Sequence, residues 1–248
     1  MRIKKEYLDK AKKQFCKDYY CRLSDFEKNE NTITYYGDTI SRQYPSEKPI
    51  FRMMCFYNKI FITTEDKLYH WAREKFENAF SGWAFSFHSL RKIDNKLREF
   101  GHEIKDMHHY YLPLEDFPQP EHKFDLKWFD QEEIESFRHR NRFTDALAFH
   151  PRYPDVIAVA AMKDEDIMGI AGASEDGDEL WQIGINVLPQ YRVNGMAVNL
   201  VTHLKEEIMN RGKVPFYGTV ESHNLSKSVA IKSGFFPVWS EIYSGPIE

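Results

Sequence analysis

The chain has 248 residues, 42% of them hydrophobic, 15% aromatic and 29% charged, which suits one large or two small folded domains and argues against disorder. A formal net charge of −4 excludes a generic polyanion binder, so no nucleic-acid surface is expected. No apolar run approaches the roughly 20 residues that a membrane helix needs, and the basic start Met1-Arg2-Ile3-Lys4-Lys5 runs into Glu6, Asp9 and Lys10 rather than into the apolar stretch of a secretion signal.

Only Cys16, Cys21 and Cys55 occur, too few for a disulfide framework. The expectation is a soluble cytoplasmic protein with reduced thiols; composition leaves monomer and homodimer open.

In chain order, residues 4–20 read as a helix and residues 33–36, 51–57 and 60–63 as strands. Thr64 and Glu65 stand where they can cap a helix running to about Ala79. A further helix over residues 90–100 is stopped by Gly101. The pairs Tyr19-Tyr20, Tyr35-Tyr36 and Phe56-Tyr57 read as core and domain-interface packing. His102, His108, His109 and His122 straddle a strand and a proline-rich stretch rather than sitting paired on rigid elements, so no metal is expected. Pro113, Pro118 and Pro120 remove backbone donors and favour extended chain. That stretch predicts a linker between residues 1–112, an α+β domain of unassigned role, and residues 122–248.

The second half carries the clearer pattern. Residues 124–129 form a strand, and Asp130 caps a helix with Gln131, Glu132 and Glu133 in its first turn. Residues 156–162, 167–174 and 180–187 are strands joined by polar turns. Met196, Leu200, Leu204 and Ile208 recur every four residues over a helix at 194–210, with Gly212 as its stop. A strand at 214–220, a helix at 225–232 ended by Gly234, and a strand at 235–243 follow. Hairpins leading into strand–helix–strand–helix–strand predict a mixed sheet.

The chemistry lies where strand 180–187 turns through Leu188-Pro189-Gln190-Tyr191 into the helix at 194. Gly195 and Ala197 are small, so the amide hydrogens of the first helical turn stay accessible at the positive end of the helix dipole. Arg192 adds a fixed charge suited to phosphate. Arg192, Val193, Asn194, Gly195, Met196 and Ala197 thus predict a diphosphate cradle.

This segment, Arg192-x-x-Gly195-x-Ala197, resembles the Q/R-x-x-G-x-G/A motif of the GNAT acetyltransferase superfamily. The run from Ser222 to Phe235 resembles a later motif of the same superfamily, N-x-x-S-x-x-V-A-x-K-x-G-F. Ser226 takes its Ser position, and His223 falls on its Asn position with Asn224 one residue along. The resemblance covers roughly the C-terminal half.

It implies an α+β, mixed α/β fold: a GNAT-like mixed sheet with splayed central strands, preceded by a smaller α+β N-terminal domain. It also implies an N-acetyltransferase that uses acetyl-CoA as co-substrate on a small-molecule amine acceptor by direct attack in a ternary complex. Ile185, Asn186 and Val187 are then expected to bind pantetheine through their backbone, with a strand N–H near Val187 as oxyanion donor. His223, Asn224 and Ser226 are expected on the cofactor side. Many members carry a proton-donating Tyr four residues before the Gly-Phe pair, where this chain has Ala230. Ser226 is therefore the expected acid and Glu179 the expected base, with Glu221 and His223 as rivals. The alternative implied by the missing Tyr is a non-catalytic acyl-CoA-binding or sensor module.

Overall fold

The computed structural model describes residues 2–37, 48–140, 142–192 and 195–248. In chain order the elements are α1 (Lys5–Asp18), β1 (Thr32–Tyr35), β2 (Phe51–Phe56), β3 (Lys59–Thr64), α2 (Asp66–Phe76), α3 (Phe87–Arg98), β4 (His102–Pro113), β5 (Asp125–Asp130), α4 (Gln131–Glu135), β6 (Asp155–Lys163), β7 (Asp166–Glu175), β8 (Leu180–Val187), α5 (Met196–Asn210), β9 (Val214–Thr219), α6 (Asn224–Lys232) and β10 (Phe235–Pro246). Among the described residues no helix is long and apolar enough to cross a membrane.

The elements gather into two compact units. The first comprises Met1–Ala11 with Tyr111–Pro237, the second Lys12–Tyr110 with Val238–Glu248. The division runs through α1, β4 and β10, so the units interleave in sequence and the proline-rich stretch falls inside the first. That stretch is anchored. Leu114 N donates to Gly234 O (2.8 Å), and Asn199 Nδ2 donates to Glu121 O (2.7 Å). The Phe117 ring occupies the space where a side chain on Gly234 would stand.

In the first unit the sheet runs β5-β6-β7-β8-β9. The pairs are antiparallel except β8 with β9, which is parallel, so the sheet is mixed as the element order predicts. β6 and β7 are buried on both faces, and their alternation divides two cores. Val159, Ala161, Ala171 and Ala173 turn to α5, whose stripe of Met196, Leu200, Leu204 and Ile208 packs on them. Small alanines on the strands let the helix backbone come close. Ala158, Ala160 and Ile170 turn to the opposite face, under Phe129, Ile134, Phe143 and Leu147. Asp130 caps α4 as expected, in a reciprocal box with Glu133.

Lys205 on α5 is fully buried. Its ammonium donates to Ser233 O (3.0 Å) at the C-terminal end of α6, where the helix dipole favours a cation, and lies over the Phe117 ring. Burial lowers its pKa below the ordinary lysine value, with Glu206 opposing the shift.

The second face depends on two glycines. A Cβ on Gly184 would stand 2.1 Å from Asp145 O, and one on Gly172 2.4 Å from Ala146 O. The 143–147 turn therefore lies directly on β7 and β8. Gly184→Ala should displace that turn and cost about 1–3 kcal/mol, as overpacking does, read as a lower urea midpoint with an unchanged slope.

In the second unit β1 runs parallel to β3, β3 antiparallel to β2, and β2 antiparallel to β10. Leu68, Ala72 and Phe76 of α2 and Ile93 and Leu97 of α3 close on Met53, Ile60, Ile62 and Ile242. Ser86 caps α3 by accepting from Ser89 N, and Gly101 beyond its end is left-handed (φ 73°), as a helix stop requires.

Candidate active site

β8 and β9 are paired at Leu180↔Val214, Trp181↔Pro215, Gln182↔Phe216 and Ile183↔Tyr217, and there the ladder stops. β7 accompanies β8 four residues further, to Gly169↔Val187. Beyond Ile183, β8 therefore keeps a ladder neighbour on one edge only. Leu188 N donates to Met168 O (3.0 Å), which fixes the phase of the antiparallel ladder: in β8 the even-numbered residues bond to β7 and the odd-numbered ones turn their backbone groups to the β9 side. Ile185 and Val187, both half-buried, thus present peptide groups toward the gap, where such groups need partners. Arg192 Nε already donates to Val187 O (3.1 Å).

Asn186 is placed differently from the expectation. The same alternation gives its backbone to β7. Its side chain accepts from Asp145 N (2.7 Å) and Ala146 N (2.9 Å) and donates to Asp145 Oδ2 (2.7 Å). Three consecutive strand residues cannot all face one gap.

Pro189–Tyr191 forms a single 3₁₀ turn. Gly195 then caps α5 at φ 74°, ψ 15°, a conformation that costs a side chain roughly 1–2 kcal/mol. A Cβ there would meet nothing within 4 Å, so the dihedral alone calls for glycine. The first intrahelical bond is Asn199 N to Gly195 O (2.9 Å). Among the described residues the amides of Met196, Ala197 and Val198 have no intrahelical acceptor, and they point out of the positive end of the helix. The Met196 side chain is buried, Ala197 half-buried and Arg192 exposed. Val193 and Asn194 lie outside the described residues.

α6 starts from His223 as its N-cap. His223 and Asn224 are exposed. Ser226 lies inside the first turn, and its Oγ is 3.0 Å from Tyr217 Oη. Tyr217 is buried on the last rung of the β8–β9 ladder. Burial raises its pKa above the ordinary tyrosine value. The Ser226 bond opposes the shift, while the charge of Asp145 and the neighbouring Tyr111 add to it. The phenol is held neutral and hydrogen-bonded to a second hydroxyl where the strands part.

The expected base is corrected. Glu179 O accepts from Val214 N at the zipped end of the two strands, and its carboxylate is 3.8 Å from Lys10 Nζ. Six strand residues, roughly 20 Å, separate it from Ile185, so it does not serve an amine in the gap. Glu221 follows β9 at the open end, exposed and 3.0 Å from Lys227 Nζ.

Sequence reasoning missed two residues. Tyr217 stands in the strand at 214–220, where no spacing rule marks its hydroxyl. Asp145 sits in an irregular segment with no motif, exposed on the turn over Gly184 and close enough to act electrostatically on Tyr217. Of the four histidines near the proline-rich stretch, His109 Nδ1 bonds Ser240 Oγ (2.8 Å), and His122 packs against His203.

The sequence profile of the Acetyltransferase (GNAT) family matches residues 66–235. The match begins at α2, well upstream of the half in which the two motifs lie. No curated protein matches. Among solved structures, a putative GNAT-family acetyltransferase from Novosphingobium aromaticivorans is 15% identical over 60% of this chain and 69% of its own, with a TM-score of 0.45. A GCN5-related N-acetyltransferase-like protein from Streptococcus suis is 15% identical over 64% and 68%, with a TM-score of 0.44. A GCN5-related N-acetyltransferase from Kribbella flavida is 17% identical over 70% and 77%, with a TM-score of 0.43. With its profile matched over well more than half of the sequence, this chain belongs to the GNAT acetyltransferase family.

Proposed function

We propose that the protein is an acetyl-CoA-dependent N-acyltransferase that moves an acetyl group to the amine of a small-molecule acceptor by direct attack in a ternary complex. One observation carries the reading. β8 and β9 part after Ile183 and Tyr217, and β8 turns the peptide groups of Ile185 and Val187 toward the opening. Acetyl-CoA supplies amide groups that can complete such an edge, and a diphosphate that suits the amides of Met196, Ala197 and Val198 with Gly195 and Arg192 beside them. Val193 and Asn194 belong to this cradle by sequence, and His223 and Asn224 flank the cofactor by motif.

In this reading the Val187 N–H stabilises the oxyanion as the acceptor nitrogen attacks the thioester carbon. The carbon–sulfur bond breaks as the sulfur takes the proton of Tyr217, in place of the expected Ser226 to which its hydroxyl is bonded, and the proton that the attacking neutral amine sheds in becoming an amide passes to solvent, from which Tyr217 is reprotonated. Asp145 supplies negative charge that attracts a cationic acceptor, which loses a proton to solvent before it attacks; this is a different role from the base expected at Glu179. Residues 122–248 hold all of these groups. The free thiols of Cys16, Cys21 and Cys55 fit a cytoplasmic enzyme.

Arg192→Glu tests the cradle. Reversing the charge beside the α5 N-terminus and removing the donor to Val187 O should raise the Kd for CoA by about tenfold or more, roughly 1.4 kcal/mol, by calorimetry. Thiol release in an acetyl-CoA turnover assay across amines should fall in parallel. Unchanged binding removes the cradle from this place; tight binding by the parent protein without turnover on any amine leaves a binding module instead.

A further inference from the structure

The second unit contains a cavity of about 620 Å³ between the end of α2, the loop after it and one face of α3, within the range of small-molecule sites. Trp71, Phe76, Phe80 and Trp83 line it. Trp71 is braced edge-on by Phe51 and Phe76. Phe80 folds back over Gly82, where an added Cβ would stand 2.7 Å from the ring. Phe80 and Trp83 nevertheless remain 69% and 71% exposed, and Phe87 beside them 77%. Three large rings left in water within eight residues, on the loop and at the first residue of α3, is more than the scattered exposure of an ordinary surface.

The polar side of the cavity is cationic. Lys75, Lys92 and Lys96 line it against one carboxylate, Glu99. Glu99 is held by Lys96 at 2.6 Å, and Lys75 is held by Glu74 at 2.7 Å. Among the described residues Lys92 makes no ion pair. It shares an α3 face with Asn95, Lys96 and Glu99, spaced three, four and seven residues on, as neighbours on a helix are. Flat apolar walls call for a ring, and an uncommitted ammonium at the rim calls for an anionic group.

We infer that this cavity binds a planar aromatic or heteroaromatic anion, its ring against Trp71, Phe80 and Trp83 and its carboxylate or phosphate on Lys92. The site is independent of the acetyl-transfer reading, since every residue in it belongs to the second unit.

The test is calorimetric titration of the full chain, alone and again in the presence of CoA, with 2-naphthoate, with AMP and with uncharged 2-naphthalenemethanol. The inference requires saturable binding of at least one of the two anions, at least about tenfold tighter than that of the alcohol. Lys92→Glu and Trp83→Ala, both at exposed positions, should each weaken it by about tenfold or more while CoA binding and the circular dichroism spectrum stay unchanged. Either anion alone supports the class and identifies the charged group preferred. Absence of saturable binding of both anions at millimolar concentration, equal affinity for the alcohol, or indifference to both substitutions overturns it.

Discussion

Tyr217→Phe should lower kcat by about 10²–10⁴-fold, the usual effect of losing a positioned proton donor, with the KM for acetyl-CoA nearly unchanged. The substitution removes one oxygen and keeps the ring, which packs beside Ile183, Val201 and Phe235 in the main core. A purely structural tyrosine would give the opposite pattern: stability lower by about 1 kcal/mol, as for one lost hydrogen bond, and kcat almost intact. The pH profile separates the two further. A donor acts while protonated, so activity is retained below its pKa and lost above it. Burial moves that pKa upward, so the alkaline limb should lie above the ordinary tyrosine value of about 10. Thiol release measured from neutral to strongly alkaline pH should show this limb in the parent protein and not in Tyr217→Phe. Ser226→Ala leaves the phenol in place and should cost only about fivefold, equivalent to roughly 1 kcal/mol.

What the sequence makes legible here follows local periodicity. The α5 stripe repeats every four residues, and its burial against β6 and β7 follows directly. The limits of β8 were readable because Asp176-Gly177-Asp178-Glu179 precedes a run of alternating side chains and Pro189 follows it. Features set by long-range pairing were not. Nothing in residues 180–187 says that β9 leaves after Ile183, or that Ile185 and Val187 rather than Asn186 turn to the gap; both depend on the register with β7. Asp145 belongs to a segment with no regular period. Its position depends on Gly172 and Gly184 beneath it, on Asn186 beside it, and on Asp155, which holds the amides of Ala148 and Phe149. Burial raises the pKa of Asp155, the two amide bonds opposing the shift. Phe149 there is left-handed at φ 52°, a conformation no sequence rule assigns to phenylalanine. The chain division was equally hidden, because the twelve-residue strands β4 and β10 each pass from one unit into the other.

Arg52→Ala should destabilise the second unit by about 3–5 kcal/mol, the range for breaking a buried ion pair from one side. Arg52 is fully buried and Glu241 only 3% exposed. The guanidinium donates to Glu241 Oε1 (3.3 Å) and to Asp18 O (3.0 Å), and it stacks 4.8 Å from the centre of the Tyr19 ring. The strands explain the pairing. β2 and β10 align Arg52 with Tyr243 and Met54 with Glu241, so the two charges meet on a diagonal between neighbouring strands. Removing the arginine takes one counter-charge from a carboxylate that water barely reaches. Replacing both partners with apolar residues of similar volume, Arg52→Met with Glu241→Leu, should recover most of the loss, since a buried pair gains little over a well-packed apolar one. Urea unfolding of the parent, the single and the double variant measures this directly. A double variant no more stable than Arg52→Ala would mean that the pair itself, and not the loss of one charged partner, accounts for the stability. Acetyl transfer should persist in the double variant, because the fork, the α5 N-terminus and Tyr217 all lie in the other unit.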